Sequence, residues 1–221
     1  MQMDIINYVI KKNKISIPVV WISRSLHNQP KKLHESIQNV INKHQNVDEI
    51  LLSYGLCGNA VIGLRSKETE LIVPAFDDCI CQMLYTQNKR NGIWEYKYPE
   101  KGCFYLTREW TIDQESIYSQ CEMIYDQFGM EYGQQIIKEI YNEYHTMIVL
   151  RTGAYDVEKI RGYVDKAANA TGMCVKIQEG SCKVMENLLL ENYDETILVL
   201  HPEEVIKDSL YMKCKNRYCS Q

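Results

Sequence analysis

The chain has 221 residues, of which 45% are apolar and 24% charged, and its formal net charge is −4. That balance excludes a disordered polyelectrolyte and leaves no broad basic footprint for nucleic acid. No apolar run reaches the ~18 residues that a membrane helix needs, and the opening MQMDIINYVIKKNK carries no secretory cleavage pattern, so the expectation is a cytoplasmic protein with no membrane partner.

In chain order, residues 3–12 read as a short helix and ISIPVVWIS, 15–23, as a strand with Pro18 near its start. Pro30 opens a helix whose Leu33, Ile37, Val40 and Ile41 recur at helical spacing, with His34 and His44 on its solvated side. EILLSY and ELIVP are short buried strands, and DDCICQMLYTQ is a helix capped by Asp77 or Asp78. CFYLT, 103–107, is a fourth strand. A long helical stretch over 113–144 is interrupted near Gly129 and Gly133. TMIVLRTG is a strand, DVEKIRGYVDKAANATG a helix stopped by Gly172, MCVKIQ a strand, SCKVMENLLLEN a helix with Ser181 as cap, and ETILVLHP a last strand.

Strands alternating with helices predict an α/β fold: a parallel-dominated sheet with helices on both faces, in two Rossmann-like halves linked by a long helical segment. The boundaries expected are an N-terminal half over 1–112, a helical connector over 113–144, a C-terminal half over 145–212 and a polar tail over 213–221.

Nine cysteines in a chain without a signal peptide predict reduced thiols, most of them small hydrophobic fillers. Two stand out. Cys57 follows ILLSYG and Cys79 follows LIVPAFDD, so both lie just past the carboxyl ends of strands, where ligands gather in open α/β sheets. Gly55 and Gly58 let the Cys57 loop approach a ligand closely, and Asn59 and Trp110 line the same cleft. A thiol beside a helix N-terminus is expected to have a lowered pKa. His27, past the first strand, is a third ligand or an acid–base group. Against this stands a plainer reading, a glycine turn around a buried filler cysteine. Cys214 and Cys219 lie in the polar tail, and no C-x-x-C pair, Walker loop or G-x-G-x-x-G occurs.

LHNQPKKL, ILLSYGLCGNAVIGL, LIVPAFDDCICQML and GCFYLTREW, in that order, resemble the domain-of-unknown-function family 1638, as do VLRTGAYD and ENLLLENYDE. Where that family usually has His-Asp-Cys, this chain has Asp77, Asp78 and Cys79. Glu109 stands where the family carries a glycine, and the cysteine of the family's first strand has no counterpart here, so the resemblance implies lost ligands for which Cys81 or Cys103 would substitute, with Asp77 and Asp78 as supporting or alternative ligands. The family is met mainly in anaerobes, often beside corrinoid-dependent methyl-transfer systems, which implies corrinoid methyl-transfer proteins as partners. The expected function is therefore a metal or metallocofactor site in anaerobic one-carbon metabolism. Cys57, Cys79 and His27 would be its ligands, for zinc, iron or an iron–sulfur cluster, with a corrinoid reached through a partner. The alternatives are a thiol enzyme, with Cys57 as nucleophile, His27 as base and Asp78 as orienter, and a non-catalytic accessory protein.

Overall fold

A computed structural model describes residues 2–90, 93–96, 99–112 and 116–211, with 86–90 and 93–96 as backbone only. The polar tail with Cys214 and Cys219 lies outside the described residues. In chain order the elements are α1 Met3–Asn13, α2 Pro30–Lys43, β1 Glu49–Leu51, β2 Glu70–Pro74, α3 Cys79–Leu84, β3 Tyr85–Arg90, β4 Ile93–Tyr96 and β5 Cys103–Leu106. They continue with α4 Ile117–Phe128, α5 Met130–Ile140, β6 Thr146–Arg151, α6 Arg161–Thr171, β7 Cys174–Glu179, α7 Lys183–Leu189 and β8 Ile197–Leu200. Among the described residues no helix is long and apolar enough to cross a membrane.

The protein is thus mixed α/β, and its chain folds as two compact units. One is discontinuous, joining residues 4–97 to the segment from 181 onward; the other is residues 98–180. In the first, β1 and β2 run parallel, pairing Glu49 with Glu70 and Leu51 with Ile72. β8 then adds to the far side of β2 in the antiparallel sense, Leu71 opposite Leu200, so this sheet is mixed and not parallel throughout. Its core is built from Leu33, Ile37 and Ile41 of α2 against Leu71 and Val73 of β2 and Leu200 of β8. Pro30 sits at the first turn of α2, where its missing N–H has no helical partner to lose.

The second unit holds a three-stranded sheet, β5-β6-β7, parallel throughout. Central β6 is buried from Thr146 to Leu150, as a strand covered on both faces must be. Met147 and Val149 pack against Val164 and Ala167 of α6, which ends at Gly172 in the left-handed conformation (φ 77°). The helical stretch read as a connector lies inside this unit as α4 and α5. Gly129 (φ 76°) breaks it there, whereas Gly133 stays inside α5. An added Cβ at Gly133 would come within 2.9 Å of Tyr125, so glycine here allows the two helices to cross closely.

Two local expectations fail. The apolar stretch 15–23 forms no strand: it runs from α1 to the short 3-10 turn Arg24–Leu26 without a ladder partner, and residues 16–21 are exposed. The helix expected over DDCICQMLYTQ stops at Leu84, and the chain turns directly into β3, antiparallel to β4.

Candidate functional site

The two cysteine loops leave the carboxyl ends of adjacent parallel strands, and backbone hydrogen bonds continue the pairing past the strands. Leu52 donates to Ile72 at 2.9 Å, Leu56 to Phe76 at 2.9 Å and Cys57 to the Asp77 carbonyl at 3.1 Å. Gly55 is what allows so tight a juncture. A Cβ there would lie 2.7 Å from the Phe76 carbonyl oxygen, 2.8 Å from Asp78 Cα and 2.9 Å from Asp78 N, all of it backbone that cannot step aside. The chain then passes through three successive left-handed residues, Cys57 (φ 46°), Gly58 (φ 67°) and Asn59 (φ 69°). For Cys57 this is a costly conformation, Asn59 tolerates it more readily, and the surroundings hold both in place. Ala60, Val61 and Leu64 are buried in the core, and His34 Nδ1 meets the Ala60 carbonyl at 3.0 Å. His34 is therefore a brace for this loop and not a solvated side chain. Its place beside Leu33, three residues before Ile37, was the available signal.

On the other loop, Asp78 is the cap of α3: its Oδ1 accepts from the Cys81 backbone N–H at 2.8 Å. Of the two acids offered by the sequence, Asp78 takes this role, while Asp77 lends its carbonyl to Cys57. Cys79, first residue of α3, is 7% exposed and Cys81 is 2% exposed, whereas Cys57 is half-buried.

Electrostatics ties the group together. Burial pushes the Cys57 thiol up to about 11, and the Asp78 carboxylate adds to the rise. Burial likewise drives Cys79 well above the usual thiol range, with the charges of Cys57 and then Asp78 contributing. The expectation of a thiol lowered by a helix N-terminus is overturned: desolvation outweighs the partial positive charge of a helix only six residues long. His27 follows the 3-10 turn, exposed at its edge. Partial desolvation lowers its pKa, Arg24 adds to this, and Asp78 opposes it. Asp78 therefore lies within the electrostatic reach of Cys57, Cys79 and His27.

The structure brings together only part of the expected set. Among the described residues no group of three or more His, Cys, Asp or Glu is placed to hold a metal ion. Cys57 and Cys79 neighbour one another, and His27 shares their field through Asp78 without completing a ligand shell. Cys103 belongs to the other unit, at the start of β5, where its thiol faces Glu100 at 4.0 Å. Trp110 lies in that unit too, in the 3-10 turn Arg108–Thr111, packed against its core. Gly58 sits 3.4 Å from Pro30 by its would-be Cβ, and Asn59 is exposed, its carbonyl accepting from Ile62 at 3.1 Å.

Fold and site together define an α/β protein whose adjacent parallel strands end in interlocked Gly-Cys and Asp-Asp-Cys loops. Residues 21–189 match the family described as a protein of unknown function (DUF1638), and the chain belongs to that family. No curated protein and no solved structure matches the chain.

Proposed function

We propose that the two interlocked loops form a binding site for a soft metal ion or a metallocofactor, with Cys57 and Cys79 as thiolate ligands and His27 as the adjacent imidazole. The observation that carries this reading is the coupling of two half-buried to buried thiols across one backbone juncture. With a pKa near 11, roughly one Cys57 thiol in ten thousand is ionised at neutral pH. That disfavours a resting nucleophile, which needs its thiolate before substrate arrives. A soft cation removes the obstacle, because coordination itself displaces the thiol protons and its charge relieves the repulsion between two thiolates and Asp78.

The test is titration of zinc and of ferrous iron into protein purified without oxygen. Elemental analysis and absorption spectra would be read alongside proton release. One bound metal with about two protons released supports the reading, and Cys57→Ser should abolish both while leaving the metal-free melting temperature close to that of the parent. Protein that takes up neither metal while both thiols remain open to alkylation overturns it.

A further inference from the structure

A buried pair of amides lies in the same unit as the two cysteine loops, and neither amide is fully satisfied. Gln82 of α3 is 2% exposed, and Gln2, the residue before α1, is 7% exposed. The Gln2 Nε2–H donates to Gln82 Oε1. Among the described residues, Gln82 Nε2 and Gln2 Oε1 meet no hydrogen-bond partner. Turning both amides over leaves one donor and one acceptor unmet as before, so the pair is incomplete in either orientation. Buried amide groups are ordinarily bonded, and a donor left over beside a reactive group calls for a partner.

We infer that Gln82 is a positioning residue of the thiol site: its amide N–H donates to the Cys79 sulfur once that sulfur is a metal-bound thiolate. This rests on the metal reading given above. Two features of α3 direct the amide to that sulfur. Cys79 and Gln82 are three residues apart, so their side chains are neighbours on the helix surface. Helical side chains also lean toward the N-terminus of their helix, which carries Gln82 back over the turn that begins at Cys79. Chemistry supplies the rest. A buried thiol asks little of a donor, whereas a buried thiolate needs one, and Cys57 and Asp78 bring only negative charge to it. The Gln2 amide grips the oxygen end of the Gln82 side chain, so the N–H is already held when the metal arrives. Such bonds orient a coordinating ligand and tune its charge, and losing one weakens metal binding by about 10–100-fold.

The experiment compares the full-length parent with the double variant Gln2→Met, Gln82→Met and with each single variant, all purified without oxygen. Replacing both partners by apolar side chains of similar shape leaves no polar group unpaired, so the metal-free melting temperature of the double variant should hold or rise. Titration with zinc and with cobalt(II) should show binding weakened about 10–100-fold. At saturating cobalt the thiolate-to-metal absorption band should move to longer wavelength, since a sulfur without its N–H donor is richer in electrons. A packing role alone would not move that band. Gln82→Met alone should reproduce both effects, and Gln2→Met alone, which keeps the Gln82 N–H, should not move the band. Equal affinity and an unchanged band in the variants lacking Gln82 overturn the inference and leave the metal reading standing. A parent that binds neither metal overturns both.

Discussion

Two glycines, each just beyond a parallel strand, serve their loops in different ways. Gly55 follows β1 and is pressed against the backbone of Phe76 and Asp78; Gly153 follows β6 with φ 79° and nothing within 4 Å of an added Cβ. The first is glycine because there is no room, the second because of its backbone conformation. Carboxyl-end loops in one protein can thus be held by packing or by turn geometry alone. Only the packed one brings together the groups that make a candidate site.

Gly55→Ala should have the largest effect, because two backbone segments must separate: about 3 kcal/mol of stability lost in denaturant unfolding, at the upper end for overpacking. Loss of the thiol pair should accompany it, seen as independent alkylation of Cys57 and Cys79. Alkaline pH is the next way to break the packed loop. Cys57 ionises near 9 when unfolded and near 11 when folded, so between these values the unfolded chain binds fewer protons and stability falls as pH rises. The loss should reach about 2–3 kcal/mol by pH ~11 and shrink in Cys57→Ala, measured by unfolding across that range. Gly153→Ala should cost only about 1–2 kcal/mol, the penalty of a left-handed residue with space around it, and should leave thiol reactivity unchanged. Asp78→Asn is the smallest and most selective change. Asparagine keeps an acceptor for the Cys81 N–H, so stability should move by less than ~0.5 kcal/mol, while loss of the carboxylate charge should speed alkylation of Cys57 at fixed pH.

How much of this was legible in the sequence depended on how local each signal was. Pro30, Gly172 and the Asp cap of α3 act within one helical turn, so the sequence shows those boundaries directly. The pairing of the Gly-Cys and Asp-Asp-Cys loops was legible too, because adjacent parallel strands must end on the same side. The direction of β8 was not, since ILVL pairs equally well parallel or antiparallel and only the path of the whole chain decides. ISIPVVWIS has every local property of a strand, but a strand also requires a neighbour, which composition cannot supply. The thiol pKa values are hidden from the sequence for a related reason. A helix N-terminus is visible in sequence, whereas the desolvation that outweighs it comes from residues far along the chain.

The order in which the strands are made has a consequence for synthesis. The unit of residues 98–180 has all three of its strands once Glu179 has left the ribosome. The unit begun earlier cannot finish its sheet until Ile197–Leu200 emerges to pair with β2. The later-encoded unit is therefore complete first, while the far edge of β2 waits, with a nascent chain extending at roughly 5–20 residues per second. A pause in translation between these points would prolong the exposure of Leu71 and Val73, residues that the finished protein keeps dry.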